Sequence, residues 1–292
     1  MNENTRARLL LFFSGILLLI LVLFFIPFAH FAVLAGLILA VQYFSSRELR
    51  SILPHGGLRD PGLGVSIAGL VQSAAVYAAC LVSASPSAAG LTVFLMSLLC
   101  LTIELAPLGL KKKALFPELL KEAGSIVLVH FYTALLPSLL MLIVAGFPEA
   151  RNAIITFAIL TFGNDSLAWL FGKYVGKKRN IVDVSPNKSI AGFIGGSLGS
   201  IAGAFVGLGP LAGPWGPSGW HYILLSLALG IGMAFFVITG DLFESALKRS
   251  AGTKDSGDIV PGRGGVLDSF DSLYFSAPFF VAFSFLFHLF GL

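Results

Sequence analysis

Nine apolar stretches divide this chain, at 9–27, 29–44, 64–83, 88–107, 124–146, 153–175, 190–209, 221–239 and 273–291. Most run to about 20 residues, the length that spans a bilayer as a helix. Hydrocarbon offers nothing to an exposed backbone N–H or C=O, so the spanning form must satisfy its own backbone. The expected fold class is therefore all-α, a polytopic transmembrane helical bundle of about nine spans. Charged residues make up 12% of the chain, about half the share of a soluble domain, and the mean hydropathy is +0.89. The first run, Leu9 to Phe28, is too long for a signal-peptide core and lacks a small-x-small cleavage site, so it reads as a retained helix. The second is short and follows Pro27 closely, which predicts a helical hairpin with the first. Cys80 and Cys100 lie singly inside apolar runs, giving neither a disulfide framework nor a CxxC metal pattern.

With the N-terminus in the cytoplasm, the connecting loops sort their charge. Arg6 and Arg8, the loops 45–63, 108–123 and 240–272, and the segment around 176–189 then share that side and hold 18 of the 19 Lys and Arg residues. Such a bias sets orientation in membrane proteins. Two regions are expected: residues 1–150 with spans one to five, and residues 151–292 with the loops 176–189 and 240–272. Six carboxylates, Asp241, Glu244, Asp255, Asp258, Asp268 and Asp271, crowd the stretch 241–271. A simple connection between two helices needs no such concentration.

Three stretches carry chemistry. In the sixth span, Asn164-Asp165 places a carboxylate at membrane depth, where it must face a polar cavity or a partner. Ala168, Gly172 and Gly176 share its helical face and leave room for a neighbouring helix or a ligand. Next, Ser185-Pro-Asn-Lys188-Ser189 leads into the seventh span. Either serine can cap that helix, and Lys188 beside a helix N-terminus suits a phosphate, although lysines in such loops also serve topology. Gly195, Gly199, Gly203 and Gly207 then form a ladder read as helix packing. The last stretch runs from Gly240-Asp241 through a helix continuing to Arg249, then Lys254-Asp255, the turn Pro261-Gly-Arg-Gly-Gly265, and Asp268. Separate carboxylates suit Mg2+, which keeps waters and substrate phosphates as its other ligands. The turn allows close approach to an anion. Together these suggest a metal–polyphosphate site.

At these stretches the sequence resembles the phosphatidate cytidylyltransferase (CDP-diacylglycerol synthase) family, whose signature reads S-x-L-K-R-x4-K-D-x5-P-G-H-G-G-x2-D-R-x-D. Ser245, Leu247, Lys248, Arg249, Lys254, Asp255, Pro261, Gly262, Gly264, Gly265, Asp268 and Asp271 match it in register without a gap. Gly240-Asp241, Asn164-Asp165 and the S-P-x-K-[ST] element at Ser185, Lys188 and Ser189 agree as well. The resemblance covers residues 160–280 and implies transfer of a cytidylyl group from CTP to phosphatidate. It implies catalytic roles for Asp241, Asp255, Lys248, Lys254 and Arg263. Asp165, Asp241, Asp255 and Asp268 are the implied Mg2+ ligands, for one metal ion or two. Asn164, Ser185, Lys188, Ser189, Ser245, Arg249, Gly262, Gly264 and Gly265 are expected to contact substrate. The partners implied are CTP, phosphatidate and membrane lipid, with no nucleic acid and with homo-oligomerisation open. The implied location is the cytoplasmic membrane, with the site facing the cytoplasm.

Four positions depart from the family pattern. Arg263 replaces its His, Ser269 replaces its Arg, and Ile190-Ala191 replaces a Trp-Glu pair. Arg263 can supply the cation missing at 269, a relocation of charge within one loop. Arginine does not titrate usefully, so it cannot replace an obligate proton carrier. A paralogue using another lipid phosphate, or one without activity, stays open on these departures. A transporter would concentrate its polar groups near the midplane rather than at one edge.

Overall fold

The computed structural model describes residues 3–83, 85–112, 115–177, 179–212 and 216–289. Lys113, Lys178 and the last two residues of the ninth expected span, 290–291, lie outside the described residues. Ten α-helices follow one another: α1 (Glu3–Phe25), α2 (Phe28–Ile52), α3 (Leu63–Val82), α4 (Pro86–Leu105), α5 (Phe116–His130), α6 (Leu136–Ala145), α7 (Ala150–Tyr174), α8 (Ile190–Leu208), α9 (Gly219–Ser250) and α10 (Leu267–Leu289). A π-helical turn, Phe131–Leu135, joins α5 to α6, so the two make one span. Eight spans among the described residues are long and apolar enough to cross a membrane, and α1 adds the apolar segment Phe13–Phe25. The chain is thus a polytopic helical bundle. Each of the nine expected spans overlaps a helix.

Two compact units make up the chain. One contains residues 1–148 together with 247–270, and the other contains 149–246 together with 271–292. The loop after α9 therefore groups with the N-terminal helices.

In the first unit, α1 and α2 meet at Pro27, followed by Ala29, His30 and Phe31 at positive φ of 45°, 47° and 61°. Helix α2 runs eight residues past the expected end of its span at 44. The residues that ended the apolar run are polar, but Gln42, Ser45, Ser46 and Glu48 are buried. Burial is tolerable because partners are supplied. Gln42 Nε2 donates to the Thr133 carbonyl in the π-helical turn at 2.9 Å. The Ser46 and Ser66 hydroxyls share a hydrogen bond of 2.6 Å. Between α4 and α5, Glu104 and His130 form a buried contact of 3.0 Å.

The loop after α2 is clamped by a forked pair. Arg50 Nε and Nη2 donate to the two oxygens of Asp60 at 2.7 and 3.0 Å. The Gly62 N–H adds a third donor to Asp60 at 2.9 Å. The Arg50 guanidinium, by hydrogen bond, holds the Asp60 carboxyl below its ordinary 3.8.

In the second unit, α7 and α8 pack along the glycine ladder. A methyl at Gly199 would strike the Gly163 carbonyl, one at Gly203 would press on Ile159, and one at Gly207 would strike Thr156. The glycines thus permit close helix approach, as small residues do in membranes.

Candidate active site

The candidate residues fall into two groups, one in each unit. In the second unit, α7 delivers Asn164 and Asp165. Asn164 is 2% exposed, and its Nδ2 donates to Ser200 Oγ at 3.0 Å. That bond ties α7 to α8. The Asn164 amide faces Gly196, where a methyl would meet Oδ1 at 2.7 Å.

Helix α8 begins at Ser189. Its Oγ accepts the Gly192 N–H at 3.1 Å, which makes it the N-cap. Ser189 is buried, beside the space left by Gly172 and Gly176. Ser185 lies one turn earlier, its N–H on the Val182 carbonyl at 3.1 Å, and its carbonyl accepts the Lys188 N–H at 3.1 Å. Lys188 then reaches from the foot of α8 to α9, where its ammonium pairs with Asp241.

A further carboxylate joins this pair. Asp271 is buried at 7% exposure, and Asp241, Asp165 and Lys188 are close enough to act on it electrostatically. The Ser272 N–H donates to it at 2.6 Å. Asp165, Asp241 and Lys188 thus lie within electrostatic reach of Asp271, and Lys188 pairs with Asp241. Among the described residues no three His, Cys, Asp or Glu side chains already meet at ligand spacing. Asp271 lies outside the expected ligand set of Asp165, Asp241, Asp255 and Asp268. Its burial beside two acids sets it apart.

The other group is the loop after α9, in the first unit. Lys248 Nζ meets Asp268 Oδ1 at 2.5 Å. Asp268 Oδ2 accepts the Ser256 N–H at 3.0 Å and the Gly265 N–H at 2.7 Å. Asp268, expected as a metal ligand, is thus the brace of this loop. The Pro261 turn closes on itself: Val260 donates to the Gly264 carbonyl at 2.7 Å and Gly264 donates back at 3.0 Å. Gly262 and Gly264 take φ of 75° and 103°, a region that side chains disfavour. A methyl at Gly264 would also meet Asp268 and Asp255.

The expectation that this turn offers its backbone to an anion meets a different arrangement. The N–H groups of Arg263 and Gly264 go to the Val260 carbonyl, and that of Gly265 goes to Asp268. Those of Val266 and Leu267 go to Glu48, at 2.9 and 2.8 Å. As folded here, residues 263 to 267 present no spare N–H. Lys254, Asp255 and Arg263 have exposed side chains, as does Arg249, which also donates to the Thr253 carbonyl at 3.2 Å. Ser245 sits half-buried on α9. Ser269, in place of the signature Arg, donates its hydroxyl to the Gly265 carbonyl at 3.2 Å.

This constellation can be set beside known proteins. Residues 6–287 match the sequence profile of the cytidylyltransferase family. A phosphatidate cytidylyltransferase of Helicobacter pylori strain J99 is 42% identical over 126 residues, 43% of this chain and 44% of that protein. One from Staphylococcus aureus is 38% identical over 130 residues, 44% of this chain and 48% of its own length. An uncharacterized Escherichia coli K12 protein, YnbB, is 35% identical over 145 residues, 50% of this chain and 46% of that protein. The matched stretch thus spans under half the length of these relatives. The profile covers nearly the whole chain, the acid–base signature is gap-free, and the spans are present; the chain belongs to the cytidylyltransferase family.

Proposed function

We propose that this protein transfers the cytidylyl group of CTP to phosphatidate in the membrane, releasing pyrophosphate and forming CDP-diacylglycerol. A phosphatidate oxygen forms a bond to the α-phosphorus of CTP, and the bond from that phosphorus to the bridging oxygen of the β-phosphate breaks. The nucleophile is already an anion at neutral pH, so no strong base is required. The obstacles are repulsion between two phosphates and their alignment, which call for positioning and charge neutralisation.

The observation that carries this reading is the cluster of Asp165, Asp241 and Asp271 around Lys188. These three acids would hold Mg2+, which when bound neutralises phosphate charge and orients the reacting oxygens. Lys188 sets a cation at the N-terminus of α8, a position suited to phosphate. Lys248, Arg249, Lys254 and Arg263 give the loop after α9 its positive charge, for the polyphosphate and the departing pyrophosphate. The sorting of Lys and Arg supports a cytoplasmic face for this chemistry.

The test is Mg2+-dependent pyrophosphate release from CTP by the purified protein, with and without phosphatidate. Release that needs both the metal ion and phosphatidate, and is lost in Asp241→Asn, supports the reading. Absence of release in the wild type overturns it. The exchanged positions 263 and 269 favour surveying other lipid phosphates as acceptors in the same assay.

A further inference from the structure

We infer that Glu48, in the N-terminal helix α2, is a positioning residue for the loop between α9 and α10, which carries Asp255 and is closed by the Lys248–Asp268 pair. Its catalytic consequence rests on the reaction proposed above. Glu48 lies outside every stretch that resembles the family signature. It is 5% exposed, and its two oxygens take three donors from one loop. Oε1 accepts the Val266 N–H at 2.9 Å. Oε2 accepts the Leu267 N–H at 2.8 Å and the Ser256 hydroxyl at 2.9 Å.

The location of these donors matters. Leu267 opens α10, and the first N–H groups of a helix have no partner within it. They also mark its positive end. A carboxylate there satisfies donors that the helix cannot, and fixes where the helix starts. The next residue is Asp268, whose oxygens hold Lys248, Ser256 and Gly265. Glu48 and Asp268 thus divide the loop's inward donors. Glu48 takes Val266, Leu267 and the Ser256 hydroxyl, while Asp268 takes Gly265 and the Ser256 N–H. Ser256 is bonded to both acids, and Asp255 precedes it.

Two loop glycines fit the same reading. A methyl at Gly257 would come within 2.7 Å of Glu48 Oε1. One at Gly265 would strike both Ser256 Oγ and Glu48 Oε2. Gly265, which looks in the signature like a phosphate-binding glycine, is small here to admit a glutamate from the second span. An ordinary buried acid would be expected to bind one neighbour; this one gathers the two ends of a loop.

The test uses the full-length protein in detergent or nanodiscs, with Glu48→Gln. The amide sets a donor against one side of this donor set. The expected result is a fall in kcat on the order of 100-fold with KM for CTP changed by no more than about threefold, the pattern of lost alignment. Hydrogen–deuterium exchange should speed up in peptides covering 256–267 and stay unchanged in α3 to α6. Unchanged kcat and exchange would overturn the inference. So would exchange that rises evenly across the spans, since that marks a general folding role. If Glu48→Gln yields no folded protein, Ser256→Ala removes one donor of three. Faster exchange around 256–258 with a kcat loss of about two- to tenfold supports the inference, and no change overturns it. A wild type without CTP turnover sinks the proposed reaction; the exchange measurement, which needs no turnover, then decides the anchoring by itself.

Discussion

Lys248 Nζ and Asp268 Oδ1 stand 2.5 Å apart across 20 residues of chain, and the loop between them is closed by that ion pair. Both side chains are largely buried, at 12% and 7% exposure. Removing one partner leaves the other charge without its counter-ion in a poorly solvated place. Lys248→Met should lower kcat/KM for CTP by about 100-fold or more, since the loop loses the pair that closes it and the proposed reaction loses a cation. Steady-state pyrophosphate release measures it. Asp268→Asn, which keeps one acceptor oxygen, should be impaired but retain more activity than Asp268→Ala.

Asp271 gives a metal-specific prediction. Asp271→Asn keeps the size of the side chain and removes an ionisable oxygen ligand from beside Asp165 and Asp241. The Mg2+ concentration for half-maximal turnover should rise at least about tenfold, because fewer carboxylates offset the cost of stripping water from the ion. Titration of activity against Mg2+ at saturating CTP reads this directly.

The glycine ladder predicts an effect on stability rather than on chemistry. Gly199→Val would drive a side chain into the Gly163 backbone carbonyl, which cannot move aside as a flexible side chain would. The cost should be about 1–3 kcal/mol, seen as a lower melting temperature and aggregation in detergent. Gly124→Ala, where nothing lies within 4 Å of the added methyl, should melt no lower than wild type.

The Arg50–Asp60 clamp predicts a pH dependence with a definite sign. The folded carboxyl titrates below its ordinary 3.8. Its contribution is therefore fully present above 3.8 and disappears as pH falls through the lower folded value. The melting temperature of wild type should exceed that of Asp60→Asn at neutral pH and converge with it in strong acid. The gap should be small, under about 1 kcal/mol, because Asp60 is 43% exposed.

Arg263 and Ser269 are open to a coupling test. Ser269 is bonded within its own turn, whereas Arg263 is exposed. If the cation has moved within the loop, Arg263→His alone should lower turnover and Ser269→Arg should restore it in the double variant. Additive losses in the pyrophosphate assay would count against relocation.

The spans were legible in the sequence because lipid imposes one simple rule on backbone polarity. The continuation of α9 to Ser250 was legible too, from Asp241, Glu244, Ser245 and Lys248 at helical spacing. The end of α2 was not. Hydropathy stops at its polar residues, and only the folded chain shows Gln42 bonded to Thr133 and Ser46 to Ser66. Glu48 was hidden for the same reason: a single glutamate near a loop carries no mark of partners more than 200 residues away. Asn164 and Ser189 matched the family pattern, yet that pattern does not show that Asn164 bonds to Ser200 across two helices or that Ser189 caps α8. The role of Asp268 as a brace required the positions of three donors that no spacing rule supplies.

The Glu48–Ser256 bond has a consequence for biosynthesis. The two residues are 208 positions apart, so at about 5–20 residues per second a ribosome makes the hydroxyl roughly 10–40 s after the carboxylate. Glu48 must wait through the insertion of most later spans before its loop exists. Nascent chains that stall before residue 256 would carry nearly every span, yet leave Glu48 with none of its three donors.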